Sequence, residues 1–523
     1  MTTMPIGYES YWMLTAASNP LTPLPPDSET ETDVVVIGAG IAGLSTAWEL
    51  TRAGHRVTVL ESDRVAAGVT GHTTAKLTAV HSYCYAPLTE TLGAEAARLY
   101  ATSQQGAVEH LVEVSRQLGV DCELERVPAY LYVESGDHEE LMRAEAEAAT
   151  TAGLPARYVD AADRPPFAPP LRSGVRVEDQ AQFHPRRFLL ALANDLLDRG
   201  GRIHERTRVV DWEDGTPCRV HTDSGATVVA RDVVVATHFP VFDSALLYTR
   251  LTPRRELVIA ATLPADQDPG ALYLSPERGS RTVRTAPYPY AEGQRLLIVT
   301  GEQFTPGTPG QGSVNARYER LGAWTYERFP DARPIHRWAT QDNATTDGVP
   351  YIGPFQPGAQ HTYVATGFGG WGMSSGVLAG QLIAAHVAAD GDEDALPPWA
   401  GIYDPRRLRP LKDTTAIVRN QSAVARTYVA DRLRPAHVDS VDEISPGTGA
   451  IVRLEGRRCA VHRSAEDKLF VVSPRCTHLG CLVRFNDAEL AWECPCHGSR
   501  FAVDGEVLQG PATTPLERRP ELE

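Results

Sequence analysis

The sequence lacks a membrane-spanning segment, an export signal and an excess of basic charge. No run of about 18 apolar residues occurs, the length a transmembrane helix requires. The N-terminal stretch MTTMPIGYESYWMLTAASNP has no basic region leading into an apolar one and no twin-arginine pair, so nothing in it indicates export. Lys and Arg number 50 against 66 Asp and Glu, and the net charge of -16 has the wrong sign for a nucleic-acid backbone. These absences predict a cytoplasmic protein that acts on small molecules and reaches any quinone or membrane partner peripherally. No internal repeat is present.

What is present is a globular composition, 42% hydrophobic and 22% charged, over a 523-residue chain that is too long for one ordinary domain. The cysteines are unevenly placed. Cys84, Cys122, Cys218 and Cys459 are scattered, whereas Cys476, Cys481, Cys494 and Cys496 crowd one C-terminal stretch, which reads as metal binding and not as a disulfide scaffold.

Residues 1–32 are rich in Pro, Ser and Thr and are expected to form a leader lying along the surface. From Asp33 to Glu61 an apolar run, a glycine turn, a helical stretch, a Gly54 stop and a second apolar run spell a βαβ unit. The clearest later helix covers Arg186 to Arg199, and a strand-like run covers 228–238. Cofactor-binding parts are expected at about 33–85, 185–250 and 345–390, and parts of an inserted, sheet-based substrate domain at about 86–184 and 250–344. A linker with a helix from about Leu411 to Leu433 would occupy 396–437. Residues 438–523 show short strand-like pieces (AIVRLEG, CAVHRS, LFVVS) typical of a small β-sandwich. The expected fold class is α/β with a Rossmann-like dinucleotide-binding domain and an inserted mixed or antiparallel sheet, followed by a small all-β domain.

Gly38-Ala39-Gly40-Ile41-Ala42-Gly43 is G-x-G-x-x-G placed between strand and helix. Gly38 allows the tight turn, Gly40 lets the backbone approach a pyrophosphate, and Gly43 lets helix and strand pack closely. Glu61, ending the second strand, is placed to accept hydrogen bonds from a ribose. The fingerprint serves FAD and NAD alike.

From Asp33 to Ala389 the sequence resembles the FAD-dependent D-amino-acid oxidase-like family, which includes glycine, sarcosine and dimethylglycine oxidases and dehydrogenases. The carriers are DVVVIGAGIAGLSTAWELTRAGHRVTVLE, DVVVATH, DGVPYIGP and VATGFGGWGMSSGVLAGQLIA. The resemblance implies a glutathione-reductase-type FAD domain, with Gly369, Gly370, Trp371, Gly372 and Met373 against the isoalloxazine. It makes His72, Thr73, Thr74, Val209 and Thr237 further candidate FAD contacts. His72 stands where some dimethylglycine dehydrogenases carry a histidine linked covalently to the flavin; an ordinary hydrogen-bonding histidine is the alternative. Lys76 and His81 are candidate catalytic residues, and Arg254, Arg255, Tyr288 and Tyr290 candidate carboxylate binders. No second dinucleotide motif for NAD is evident.

Cys476-Thr-His478 and Cys494-Pro-Cys496-His497 give C-x-H and C-x-x-H separated by 15 residues. Two thiolates and two imidazoles suit a Rieske [2Fe–2S] cluster, and the same donors suit a tetrahedral zinc. From about 438 to 518 the sequence resembles the Rieske proteins of cytochrome bc complexes, including a Gly510-Pro511-Ala512 and Pro515-Leu516 tail. That resemblance implies a Cys481–Cys496 disulfide between the cluster loops.

The expected function is oxidation of a C–N bond in an amine or amino acid, with electrons passing from FAD singly through the cluster to an external acceptor, a protein or a quinone. The alternative is a FAD/Rieske electron-transfer protein or reductase that serves a separate partner enzyme. A mononuclear iron site of the oxygenase type has no supporting sequence.

Overall fold

The protein is described by a computed structural model over residues 8–242, 247–277, 279, 281–308, 312–407 and 440–520. The helix expected over Leu411 to Leu433 lies outside the described residues.

The N-terminal segment is not a surface leader. Its short helix α1 (Tyr11–Thr15) is capped by Ser10, and Tyr11 and Trp12 are fully buried. Trp12 donates its indole N–H to the Thr73 carbonyl at 2.6 Å, and Arg186 donates to the Ala16 carbonyl at 2.6 Å and to the Ser18 hydroxyl at 2.8 Å. Each buried aromatic removes about 150–250 Å² from water, enough to anchor a stretch whose overall composition is that of a loop.

Strand β1 (Glu29–Ile37) starts before Asp33 and becomes continuously apolar at Val34, as a strand buried on both faces must. It pairs in parallel with Thr227–Val235 on one side and, across α2 (Ile41–Arg52), with β2 (Val57–Leu60) on the other. The eight-stranded sheet runs Tyr351–Pro354, Thr362–Thr366, Thr227–Val235, β1, β2, Arg202–His204, and the hairpin Val209–Glu213/Cys218–Thr222 extends Thr227–Val235. Helix Pro185–Asp198 begins at a His184 cap and buries Phe188, Leu189, Leu192 and Leu196.

Helix Gly372–Ala389 covers this sheet. Among the described residues it alone is long and apolar enough to cross a membrane, with a mean hydropathy of 1.2 over 18 residues. Here that apolarity is used against α2. A Cβ on Gly380 would lie 2.7 Å from the Ser45 backbone, and one on Gly376 would lie 2.6 Å from Ile41, so glycine permits the close crossing.

The second sheet has nine strands, ordered Arg333–Thr345, Leu251–Pro264, Gln294–Phe304, Thr282–Pro287, Leu272–Leu274, Glu125–Val133, Ser173–Gln182, β3, where β3 is Lys76–Leu77, and Ala156–Asp160 also pairs with Ser173–Gln182. Two of the expected boundaries shift. After the short helix α3 (Val69–His72) the chain enters the substrate sheet at Lys76, before residue 85. Helix Ala94–Gln117, expected in the substrate domain, lies against Gly372–Ala389, where Gln104 reaches Ser375 at 3.4 Å.

The start of the expected linker also belongs to the body of the protein. Tyr403, fully buried, hydrogen-bonds Ser103 at 2.8 Å and Gln104 at 3.1 Å, and Arg407 pairs with buried Asp347 at 2.8 Å. The C-terminal domain packs a three-stranded sheet (Thr448–Leu454, Arg457–Arg463, Leu469–Val472) and a four-stranded one (Arg484–Asn486, Ala491–Glu493, Arg500–Ala502, Val507–Gln509).

Candidate functional site

The glycine loop is shaped as a cradle. Gly38 has φ +104°, and a Cβ there would lie 2.6 Å from the Ala236 carbonyl oxygen; a Cβ on Gly43 would lie 1.9 Å from the Gly38 carbonyl oxygen. Gly40 caps α2 without a side chain, so Gly40, Ile41 and Ala42 line the cavity with backbone at a positive helix end. The Glu61 carboxylate accepts the amide N–H groups of Ala39 and Asp63, each at 2.8 Å. Burial raises its pKa, and those two amides oppose the rise. Val209 and Thr237 line the same wall, and Thr237 donates to the Phe239 carbonyl at 2.8 Å.

Opposite the cradle, Gly369 and Gly370 take positive φ, which frees their amides to donate to the Asn343 carbonyl at 3.0 Å and the Asp342 carboxylate at 2.6 Å. Trp371, Gly372 and Met373 follow at the start of the buried helix. The His81 ring stacks on Trp371 with centroids 5.0 Å apart. Its Nδ1 meets the Tyr100 hydroxyl at 2.6 Å, and its Nε2 meets the Thr78 carbonyl at 2.9 Å and Ser374 at 3.0 Å. Burial pulls its pKa down to about 3. With both ring nitrogens engaged, His81 orients Trp371 and Ser374.

The loop between them holds His72, Thr73, Thr74 and Lys76, all lining one cavity of about 2030 Å³. His72 Nδ1 lies 2.9 Å from the Gly68 carbonyl. Fully buried Arg284, which sequence reasoning missed, pins the loop by donating to the Thr74 and Ala75 carbonyls at 3.0 and 2.6 Å. The Lys76 ammonium donates to Thr282 at 2.8 Å and Thr74 at 3.1 Å. Burial, then the Arg284 charge, pull its pKa down to about 7, and Glu256 opposes them. Arg254 is exposed on the cavity wall. Tyr288 instead packs between Tyr11 and Tyr290, and Tyr290 faces solvent.

In the C-terminal domain two similar loops face each other. The Cys476 amide donates to the Cys481 carbonyl and that of Cys494 to the Ser499 carbonyl, each at 2.8 Å. Cys481 and Cys496 form a disulfide between the loops. Although the Cys481, Cys494 and Cys496 sulfurs lie within 4.8 Å of one another, the bridge consumes Cys481 and Cys496, so the thiols of this domain's two loops are Cys494 and, from the first loop, Cys476. Both are buried. The His478 and His497 rings stand 5.0 Å apart beside them. Two adjacent thiols, two imidazoles and a closed disulfide fit the donor set of a Rieske cluster.

A profile of the family described as "FAD dependent oxidoreductase" matches residues 33–386, and one described as "Rieske [2Fe-2S] domain" matches residues 434–520. The chain belongs to the FAD-dependent oxidoreductase family. It carries FAD in its α/β part and a [2Fe–2S] cluster in a C-terminal Rieske domain. A protein of Bacillus subtilis (strain 168) described as "Putative Rieske 2Fe-2S iron-sulfur protein YhfW" is 34% identical over 513 residues, 98% of this chain and 97% of its own. Gamma-glutamylputrescine oxidoreductase of Escherichia coli (strain K12) is 24% identical over 72% of this chain and 88% of its own. The crystal structure of glycine oxidase from Geobacillus kaustophilus superposes with a TM-score of 0.59 at 20% identity, over 73% of this chain and all of that one, a likeness of fold.

The Rieske domain packs against the cavity, and Glu489, Arg500 and Gln509 form part of its wall. Arg255, 1% exposed, lines the cavity, but its guanidinium is taken up by carboxylates of the Rieske domain. It pairs with Glu489 and, at 3.3 Å, with Glu493, and Arg500 pairs with Glu489 from the other side. Burial favours a neutral Glu489, but the Arg255 and Arg500 guanidiniums outweigh it and hold its pKa at about 2. Gln341 donates to the Gly498 carbonyl at 3.0 Å. The His497 ring meets Tyr248 edge-on at 5.4 Å and Phe239 at 6.2 Å. Sequence reasoning found none of these partners, which come together only in the folded chain.

Proposed function

We propose that the protein oxidises a C–N bond of an amine or amino acid and passes the electrons one at a time through its Rieske cluster to an external acceptor. The observation that carries this reading is the single cavity walled by the flavin cradle, the substrate sheet and the Rieske domain. When bound, FAD would supply a hydride acceptor for the carbon beside the substrate nitrogen, the resulting imine being hydrolysed by water, and the cluster would supply a one-electron carrier that the external acceptor reoxidises between the two electrons of the reduced flavin.

In this reading the Gly38, Gly40 and Gly43 backbone cradles the pyrophosphate, Glu61 holds a ribose, and Val209 and Thr237 flank the cofactor. His72, Thr73, Thr74 and the segment from Gly369 to Met373 frame the flavin ring. Lys76 takes the proton that an ammonium substrate must lose before it can give up a hydride. A buried amine with its pKa near 7 and two hydroxyl partners is suited to that exchange. His81 is a positioning residue, and Arg254 offers a guanidinium to a substrate carboxylate. Cys476, His478, Cys494 and His497 hold the cluster.

The names of two similar proteins refer to γ-glutamylputrescine and glycine, both of which bear an amine. The reading takes the protein to be cytoplasmic, with a soluble protein or a quinone as acceptor. It is tested by anaerobic optical titration of the holoprotein with amines, N-methyl amino acids and D-amino acids, then with NAD(P)H. Bleaching of the flavin by one of the amines supports the reading; bleaching by NAD(P)H alone would replace it with an electron-transfer reductase.

A further inference from the structure

Three consecutive residues of strand Arg333–Thr345 touch both cofactor loops. Gln341 donates its amide to the carbonyl of Gly498, the residue after His497 in the second cluster loop. Asp342 accepts the Gly370 amide at 2.6 Å, and the Asn343 carbonyl accepts the Gly369 amide at 3.0 Å, both in the loop that frames the flavin ring. Packing at the cluster end is tight: a Cβ on Gly498 would lie 2.6 Å from the Gln341 amide nitrogen and 2.9 Å from Pro253. A second link runs beside the first. His238 lies 3.4 Å from the Asp342 carboxylate and 3.5 Å from Gln509 of the Rieske domain.

We propose that Gln341, Asp342 and Asn343 form an internal coupler that holds the flavin loop and the cluster loop in one fixed, electron-transferring geometry, so that the FAD domain also tunes the cluster it reduces. The proposal rests on the reading that electrons pass from flavin to cluster. Hydrogen bonds to the loop carrying a metal ligand orient that ligand and shift the potential of the metal. The Gln341 bond supplies such an interaction from a different domain. Its strength therefore depends on docking, which buried Arg255 and Glu493 maintain together with half-buried Glu489 and Arg500; Arg255 also reaches Gln341 at 3.4 Å. Gln341, Asp342 and Asn343 are positioning residues that act through the loops they hold.

The test uses holoprotein with the flavin reduced anaerobically by deazaflavin and light, so that no substrate is needed. Cluster reduction is followed optically, and the reduced cluster is examined by electron paramagnetic resonance and redox titration. Gln341→Met, nearly isosteric and without a donor, is expected to keep both cofactors, to shift the cluster g values and midpoint potential, and to slow flavin-to-cluster transfer at least about tenfold. Arg255→Met is the second variant, expected to change the same readouts by loosening the dock, and it decides the matter if Gln341→Met fails to assemble. Wild-type g values, potential and transfer rate in whichever variants assemble would overturn the coupler, as would a wild-type cluster that photoreduced flavin never reduces. If no amine bleaches the wild-type flavin while these variants still slow transfer, the coupler stands and the amine reading falls.

Discussion

Replacing Gly40 and Gly43 separately by alanine should split the cofactor site from the fold. Gly40 has φ -82° and ψ -171°, comfortable for any L-residue, and its added Cβ would meet only the Thr70 hydroxyl at 3.3 Å. The flavin-free stability of Gly40→Ala should therefore change by no more than about 0.5 kcal/mol. The methyl group would project at the pyrophosphate's place, so FAD binding should collapse. At FAD a thousandfold above Kd that forfeits about 4 kcal/mol of ligand stabilisation. At about 2 °C per kcal/mol this is a holoprotein Tm difference of about 8 °C. In Gly43→Ala the new Cβ would fall 1.9 Å from a backbone carbonyl oxygen, so α2 must move off β1. Such overpacking costs about 1–3 kcal/mol or more even without cofactor. Thermal melting of flavin-free and FAD-loaded variants, with bound flavin quantified, measures both effects. Wild-type FAD affinity in Gly40→Ala, or a wild-type flavin-free Tm in Gly43→Ala, would refute the assignment.

Further expected outcomes concern Lys76, the disulfide and His72. The folded pKa of Lys76, about 7, lies below its ordinary value of 10.5. The unfolded chain thus binds more protons between those values, and stability rises with pH across that window. Lys76→Met should accordingly stabilise the flavin-free protein below about pH 7 and progressively less toward about pH 10, as read by urea unfolding across pH; a pH-independent difference would contradict the burial argument. Opening the Cys481–Cys496 bridge with Cys481→Ser/Cys496→Ser releases a 15-residue loop and should destabilise the Rieske domain by about 3 kcal/mol, measured by denaturant titration of the cluster absorbance. Acid precipitation should release the flavin from the chain, because the His72 ring is engaged through Nδ1 with Gly68. Flavin that stays with the polypeptide and is lost in His72→Ala would instead make His72 the attachment point.

The local parts of the site were legible in the sequence because their chemistry is set by spacing. The glycine loop needs positive φ at Gly38 and a close approach at Gly43, and no other residue type supplies both. The C-x-H and C-x-x-H pairs advertise two loops that face one donor centre. Long-range pairings were not legible. Arg255 looked like a carboxylate binder because its type fits one; its carboxylate partner Glu489 lies 234 residues away in another domain. Gln341 is an unremarkable strand residue until the fold sets it against Gly498. The N-terminal segment failed for a different reason: its Pro and Ser content describes the stretch after α1, whereas its place is fixed by Tyr11 and Trp12.

The central claim is that electrons taken from an amine by the flavin reach the cluster within the same chain. Freeze-quenched electron paramagnetic resonance after anaerobic mixing of the holoprotein with an amine that bleaches its flavin tests this directly. The account predicts a Rieske signal that grows as the flavin returns its electrons, and a Cys494→Ser protein whose flavin bleaches without any such signal. A flavin that bleaches fully in the intact protein while the cluster stays oxidised would contradict it.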